Sequence, residues 1–133
     1  MVKTNAARIL DRLNLPYQML TYPVDPEDLR AEITANKLGL PPQQVFKTLI
    51  LRGSDQGVCL AAIGSHSQLD LRALARLRGD RRIQPVPLHQ VQPLTGYIRG
   101  GVTALGTRKI YPVYADESIT NFDQIAVSAG KRG

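Results

Sequence analysis

The run Val45-Phe46-Lys47-Thr48-Leu49-Ile50-Leu51 decides how the rest of the chain folds. It follows a helix-stopping Gly-Leu-Pro-Pro segment and is rich in the aliphatic and β-branched residues that favour strands. Side chains alternate between the two faces of a strand, so Lys47 shares a face with three aliphatic residues, Val45, Leu49 and Leu51. An ammonium group is costly to bury among such neighbours. Lys47 therefore either reaches solvent at a sheet edge or lines a polar cleft, and the strand alone leaves both open.

The flanking sequence predicts an antiparallel hairpin built on this strand. A cluster of turn residues at 53–57 follows it, and an apolar run at 58–63 leads back. Helical spacing of apolar residues elsewhere predicts three helices and one short helical turn, at 5–13, 29–38, 71–77 and 87–91. Further short strands are predicted at 17–22, 83–86, 109–115 and 124–128. We therefore expect residues 1–133 to form one mixed α/β domain, with a curled, barrel-like mixed β-sheet and helices packed outside it.

The composition is that of an ordinary folded domain with a basic surface. Its 133 residues are 43% hydrophobic and 21% charged, a balance that argues against disorder. A formal net charge of +6 favours a polyanionic partner such as RNA, although a modest excess also serves plain solubility. The same two explanations apply to the arginines in and after the third predicted helix, Arg72, Arg76, Arg78, Arg81 and Arg82.

Nothing in the sequence indicates secretion or membrane insertion. No apolar run approaches the roughly 20 residues that span a bilayer, and the N-terminal residues lack the apolar region of a signal peptide. The single cysteine, Cys59, excludes an internal disulfide framework. We expect a cytoplasmic protein without a membrane partner.

Conventional catalytic motifs are not recognisable in the sequence. His66, His89 and Cys59 lack metal-ligand spacing, the serines lack a nucleophile-elbow context, and the glycines match neither nucleotide-binding spacing. We therefore expect no metal and no cofactor. What remains is Lys47 and the glycine-rich segment 95–106. Backbone N–H groups in such a segment suit an anionic or carbonyl-bearing ligand.

Three motifs, in order along the chain, carry a resemblance to a known family. They are VFKTL at 45–49, TGY at 95–97 with Gly100-Gly101, and VSAGKRG at 127–133. Together they resemble the YbaK/prolyl-tRNA synthetase-associated editing family, and within it the free-standing Cys-tRNA(Pro) deacylase branch. The resemblance implies a trans-editing enzyme that hydrolyses the ester of mischarged tRNA(Pro), most of all Cys-tRNA(Pro). It further implies binding of the tRNA CCA end, a link to prolyl-tRNA synthetase, no cofactor and no DNA partner.

The resemblance also assigns roles to individual residues. It implies that Lys47 is the essential catalytic lysine and that Gly101 belongs to the loop that handles the aminoacyl carbonyl. The substrate-binding positions fall on Tyr22, Thr48, Gly100, Ser128 and Arg132, the last forming a basic pair with Lys131.

The sequence departs from the family pattern at two places. Ala104 stands where the family loop commonly has proline. The family also usually continues past its Gly-Lys-Arg-Gly motif with an acidic, apolar segment, whereas this sequence ends at Gly133, as in a truncated or short member. Two other functions stay open, an Ala-tRNA(Pro) deacylase and a non-catalytic tRNA- or nucleotide-binding module. The nucleophile is either a water molecule or the thiol of the substrate's own cysteine.

Overall fold

The predicted hairpin is the centre of the fold in the computed structural model, which describes residues 3–133. Strand β1 (Phe46–Gly53) pairs antiparallel with β2 (Gly57–Gly64) over their whole length. The pairing runs from Phe46 opposite Gly64 to Gly53 opposite Gly57. The prediction of a hairpin is confirmed, because its signals, an apolar run and a glycine-bounded turn, are local in sequence.

Two short strands complete a mixed sheet in the order β3-β1-β2-β4. Strand β3 (Ile83–Pro85) is antiparallel to β1, and β4 (Val113–Ala115) is parallel to β2. Among the described residues the sheet stays open, so the barrel-like closure expected from sequence is not confirmed. Each outer strand is only three residues long, and a proline, which cannot donate to a ladder, lies at or beside it.

Helices cover both faces of the sheet. On one face α3 (Leu71–Arg78) packs against a buried cluster formed by Leu51, Cys59, Ala61, Leu74, Ala75 and Ile83. On the other face Ile50, Leu60 and Val86 are buried under α4 (Leu88–Thr95) and under the loop residues Val102 and Ala104. The alternation predicted for β1 is therefore confirmed, since Leu51 and Ile50 belong to opposite clusters.

Helix boundaries follow recognisable capping residues. The Thr4 hydroxyl accepts the Ala7 N–H at the start of α1 (Asn5–Arg12), and the Asp70 carboxylate accepts the Ala73 N–H at the start of α3. Helix α2 (Ala31–Leu38) ends at Gly39, whose φ of 69° is in the left-handed region. Two 3-10 turns lie at Pro42–Gln44 and Glu117–Asn121. Among residues 3–133, no helix combines the length and apolarity needed to cross a membrane.

Three of the predicted outer strands and the short helical turn are wrong or displaced. Residues 17–22 are irregular, and the segment 124–128 forms only a single bridge, between Ala126 and Val45. The strand predicted at 109–115 is reduced to β4, whereas the turn predicted at 87–91 extends to Thr95 as α4. The three strand segments have residues that favour strands, but a strand also needs a partner edge, which sequence patterns do not show.

Candidate active site

Lys47 lines an open cleft on the α3 face of the sheet. Its half-buried side chain donates from Nζ to the carbonyl oxygen of Ser65 at 3.2 Å. The cleft has a volume of about 250 Å³, and apart from Lys47, Ser67 and Gln68 its walls are apolar: Leu49, Leu51, Ile63, Leu69, Leu71 and Pro85. Lys47 therefore lies at a cleft, but this cleft has mainly apolar walls and is not the polar cleft that the strand pattern left open. An ammonium carries three N–H donors, so the bond to Ser65 leaves two for a ligand.

The glycine-rich loop is held in shape by its own hydrogen bonds. Gly96 ends α4 with a φ of 84°, and the Tyr97 hydroxyl then donates to the carbonyl oxygen of Leu105 at 2.5 Å. Burial raises the pKa of Tyr97, which keeps this donor protonated. The Gly101 N–H donates to the Ile98 carbonyl at 2.9 Å and is therefore occupied. For Gly100, whose φ is 89°, the part of the chain that the structure describes supplies no acceptor for the N–H.

The segment 128–133 packs directly on this loop. A Cβ atom at Gly101 would lie 2.9 Å from the Lys131 Cα, so only glycine allows the two backbones to approach this closely. Arg132 Nε donates to the carbonyl oxygen of Arg99 at 2.8 Å. Gly130 has a φ of 94° and lies against the Tyr97 ring. The loop and the segment therefore form one unit, which we call the loop–tail unit (residues 96–106 and 128–133).

The structure brings some of the site residues predicted from sequence together and separates others. Gly100, Gly101 and Arg132 meet in the loop–tail unit, and the Tyr22 N–H reaches it through a bond to the Gly133 carbonyl at 3.3 Å. The Ser128 hydroxyl accepts the Gly130 N–H at 3.1 Å and so shapes the same segment.

Lys47 and Thr48 point to opposite faces of β1. Lys47 lies on the α3 face, whereas Thr48 shares the face of Ile50, which the loop residues Val102 and Ala104 cover. Within residues 3–133, no hydrogen bond joins Lys47 to the loop–tail unit. The candidate site therefore has two parts, the Lys47 cleft and the loop–tail unit, with β1 between them.

A buried ion pair beside the hairpin is not anticipated by the sequence analysis. Arg78, which the sequence groups with arginines expected to contact RNA or solvent, is buried, with Nε 3.2 Å from Asp80 Oδ2. Its Nη2 donates to the Gly57 carbonyl at 3.0 Å, and its guanidinium stacks 5.7 Å from the Tyr114 ring centroid. A signal for this burial exists, because Leu71, Leu74 and Arg78 follow helical i, i+3, i+7 spacing.

Cys59 is fully buried and belongs to the core of the α3 face. Burial raises the pKa of its thiol, against an opposing influence of the nearby Arg78. A protonated thiol without solvent access is a poor nucleophile, so Cys59 is a packing residue.

Comparison with known proteins identifies the family. The sequence model of the aminoacyl-tRNA editing domain family matches residues 26–133, which include Lys47 and the loop–tail unit. This chain belongs to the aminoacyl-tRNA editing domain family. The family resemblance of the three sequence motifs is thereby confirmed. One relative of this editing domain is EbsC of Enterococcus faecalis (strain ATCC 700802 / V583), whose assigned activity is that of a Cys-tRNA(Pro)/Cys-tRNA(Cys) deacylase. The two are 37% identical over 131 residues, which cover 98% of this chain and 80% of EbsC.

Solved structures share the fold of this editing domain. A hypothetical protein, APE2540, superposes with a TM-score of 0.85 at 20% identity, over 96% of this chain and 83% of that one. A protein assigned as a trans-editing enzyme for prolyl-tRNA synthetase superposes with a TM-score of 0.78 at 23% identity, over 98% of this chain and 83% of that one. A scaffold protein used for epitope backbone grafting superposes with a TM-score of 0.80 at 25% identity, over 98% of this chain and 83% of that one. These similarities establish a shared architecture.

Proposed function

We propose that this editing domain is a trans-editing aminoacyl-tRNA deacylase that hydrolyses the ester of Cys-tRNA(Pro). The observation that carries the proposal is the 37% identity to EbsC over nearly the whole chain, within a family of aminoacyl-tRNA editing domains. EbsC is assigned both Cys-tRNA(Pro) and Cys-tRNA(Cys), which share the cysteinyl group and differ in the tRNA body. We therefore propose that the aminoacyl group, more than the tRNA body, selects the substrate.

The glycine loop is the part of the site suited to the reacting carbonyl. Charge develops on the carbonyl oxygen as the ester is attacked, and a backbone N–H aimed at this oxygen stabilises it. In other enzymes the loss of one such donor costs about 2.7–4 kcal/mol. The Gly101 N–H is engaged with Ile98, so we assign this role to the Gly100 N–H and assign to Gly101 the close contact that shapes the loop.

Lys47 is suited to hold the tRNA end. It lies on the face opposite Thr48 and the loop, at a cleft with apolar walls and a volume of about 250 Å³. Apolar walls can pack against the faces of a nucleobase, and an ammonium donates hydrogen bonds to a phosphate or ribose oxygen. We propose that the terminal adenosine of the CCA end occupies this cleft. Tyr22, Ser128 and Arg132, at the loop–tail unit, then line the path of the aminoacyl group.

The substrate's own thiol is the nucleophile that we propose. Its sulfur attacks the aminoacyl carbonyl carbon, the bond from that carbon to the ribose oxygen breaks, and the ribose oxygen takes up the proton that the thiol released. The cysteinyl group leaves as a four-membered thiolactone, which water then opens. A thiol with a pKa near 8.5 is partly ionised at neutral pH, and intramolecular attack removes the need to order a water molecule.

The partners follow from this activity. Mischarged tRNA is the substrate, and exposed arginines on and after α3, Arg72, Arg76 and Arg82, are available for its phosphates, whereas Arg81 is paired with Asp55 at 3.2 Å. We propose that the domain acts in the cytoplasm, where tRNA is charged. There it would receive Cys-tRNA(Pro) released by prolyl-tRNA synthetase.

Release of radiolabelled cysteine from Cys-tRNA(Pro), at neutral pH without added metal or cofactor, tests the activity. We expect release well above the spontaneous rate, and none from cognate Pro-tRNA(Pro), which has no thiol. If Cys-tRNA(Pro) persists as long with the protein as without it, the protein is not this deacylase.

A further inference from the structure

Strand β1 has a gap in the hydrogen bonding along the edge that faces away from β2. At one end of the gap, the carbonyl oxygen of Ile50 accepts the Val86 N–H at 3.0 Å. At the other end, the Phe46 N–H donates to the Ala126 carbonyl at 2.9 Å. Thr48 lies between them, and within residues 3–133 neither its N–H nor its C=O has a hydrogen-bond partner on this edge.

The register shows that the Thr48 backbone points into this gap. Ser65 N donates to Val45 O at 2.7 Å, so odd-numbered residues of β1 direct their backbone groups toward β2. The even-numbered residues direct theirs to the other edge, as the bonds of Phe46 and Ile50 show. Thr48 is half-buried, and a half-buried donor and acceptor on a central strand are normally paired. This open pair has the hydrogen-bonding pattern that a group with both an acceptor and a donor would complete.

The unpaired part of this edge has the length of one residue pair. Phe46 and Ile50 are four residues apart on a strand, or roughly 13 Å. Ala126 closes one end and Val86 the other, so an added β-strand would collide with both. A single amino-acid group matches this length, because it carries one donor and one acceptor at the spacing of a residue in a strand.

We propose that the aminoacyl group of the substrate binds in this gap and pairs with the Thr48 backbone like a one-residue strand. Its α-ammonium donates to the Thr48 C=O, and its ester carbonyl accepts the Thr48 N–H together with the Gly100 N–H, since a carbonyl oxygen has two lone pairs. This inference rests on the proposed deacylase function and extends it to the recognition of the aminoacyl group.

The pairing also fixes where the two ends of the substrate lie. Directly paired residues direct their side chains to the same face, so the aminoacyl side chain lies on the Thr48 face, toward Val102 and Ala104. The neighbouring residues Lys47 and Leu49 face the cleft on the other side, which receives the terminal adenosine. The gap thus connects the two parts of the candidate site.

An amide-to-ester exchange tests the inference. Semisynthesis that replaces Thr48 by the corresponding α-hydroxy acid removes its N–H and keeps its side chain. The matched control is the same exchange at Arg52, whose N–H faces the same edge but pairs with Gln84 of β3. Both exchanges weaken the carbonyl of an odd-numbered residue paired with β2, so their effects on the hairpin are alike.

We expect the exchange at Thr48 to lower kcat/KM for Cys-tRNA(Pro) by about tenfold, the effect of one lost hydrogen bond. The Arg52 exchange lowers the melting temperature and leaves kcat/KM unchanged. Deaminated substrate, 3-mercaptopropionyl-tRNA(Pro), loses the partner of the Thr48 C=O. Because loss of the α-ammonium also makes the ester intrinsically less reactive, each enzymatic rate is divided by the spontaneous rate of the same substrate, and this ratio is at least about tenfold lower for the deaminated substrate.

The amide resonance of Thr48 gives an independent readout. In a ¹⁵N-labelled protein it shifts when 3′-(L-cysteinylamino)-3′-deoxyadenosine is added and stays in place with 3′-amino-3′-deoxyadenosine alone. Active wild-type protein together with an unchanged kcat/KM for the Thr48 exchange would overturn the inference. Inactive wild-type protein would instead contradict the deacylase function.

Discussion

At the scale of single residues, Lys47 illustrates how neighbours determine what a charge can do. It is one cation on a strand face with Leu49 and Leu51, and the same face forms the wall of the cleft. Lys47 Nζ donates a hydrogen bond of 3.2 Å to the Ser65 carbonyl oxygen. This partner is neutral and leaves the charge of the ammonium uncompensated. A fixed ammonium beside apolar walls matches a ligand that has both a phosphate or ribose oxygen and a flat base.

Replacement of this lysine tests its role. Lys47→Ala is expected to reduce kcat/KM on Cys-tRNA(Pro) by about a hundredfold, because a charged hydrogen bond to the tRNA end is lost. The melting temperature stays close to that of wild type, since the side chain is only half-buried. Lys109→Ala, at an exposed lysine away from the cleft, is the matched control and keeps full activity. A fully active or an unfolded Lys47→Ala variant would show that Lys47 has no such binding role.

At the scale of elements, Asp80 stabilises the hairpin turn between β1 and β2. One of its carboxylate oxygens accepts the N–H groups of Asp55 and Gln56 at 2.9 and 2.7 Å, and the other faces Arg78. A Cβ atom at Gly53 would overlap this carboxylate, so the turn needs glycine there for space. The end of α3 is thereby tied to the β1–β2 turn.

Removal of one partner from this buried pair is expected to be costly. Asp80→Ala leaves the Arg78 charge and two turn N–H groups without their acceptor. We expect the free energy of unfolding, measured with urea, to fall by about 3–5 kcal/mol. Asp123→Ala, at an exposed aspartate, changes it by no more than about 0.5 kcal/mol. A loss for Asp80→Ala as small as that of the control would mean that the pair contributes little.

The loop–tail unit can be tested at Gly101. Gly101→Ala forces a Cβ atom to within 2.9 Å of the Lys131 Cα and separates the two backbones. We expect kcat on Cys-tRNA(Pro) to fall by about tenfold or more, because a small displacement of the loop misaligns the carbonyl. Gly57→Ala, where the added Cβ meets nothing within 4 Å, costs about 1 kcal/mol of stability at its φ of 80° and leaves kcat unchanged. Equal kcat values for wild type and Gly101→Ala would contradict this role of the contact.

The elements also show which parts of the fold are predictable from sequence. The hairpin, α1 and α3 depend on local signals, such as the Asp70 cap and the glycine turn, and they are predicted well. The outer strands depend on which strand edges are available for pairing. The gap at Thr48 depends on where the pairing of β1 with Val86 and with Ala126 stops. The separation of Lys47 from the glycine loop is likewise set by long-range packing, although the alternation along β1 already places Lys47 and Thr48 on opposite faces.

At the scale of the whole molecule, the formal net charge of +6 leads to a prediction about RNA binding. If exposed arginines contact tRNA phosphates, the logarithm of affinity falls linearly with the logarithm of salt concentration, by roughly 0.7–0.9 for each phosphate neutralised. Arg76→Glu and Arg82→Glu each weaken tRNA binding and reduce this slope. Turnover of a minimal cysteinyl ester, which lacks the tRNA body, is the control and stays unchanged. A salt-independent affinity would exclude phosphate contacts as the purpose of the charge.

The most direct test of the proposed thiol mechanism compares three substrates that differ only in the aminoacyl group. Deacylation of Cys-tRNA(Pro), Ser-tRNA(Pro) and Ala-tRNA(Pro) is measured side by side at neutral pH, with wild type and with Cys59→Ala. Serine differs from cysteine by one atom, but its hydroxyl is hardly ionised at this pH, and alanine has no nucleophile. Attack by the substrate thiol predicts rapid hydrolysis of the cysteinyl ester, almost none of the other two, and full activity of Cys59→Ala. Similar rates for all three esters would mean that water is the nucleophile and would contradict the proposed mechanism.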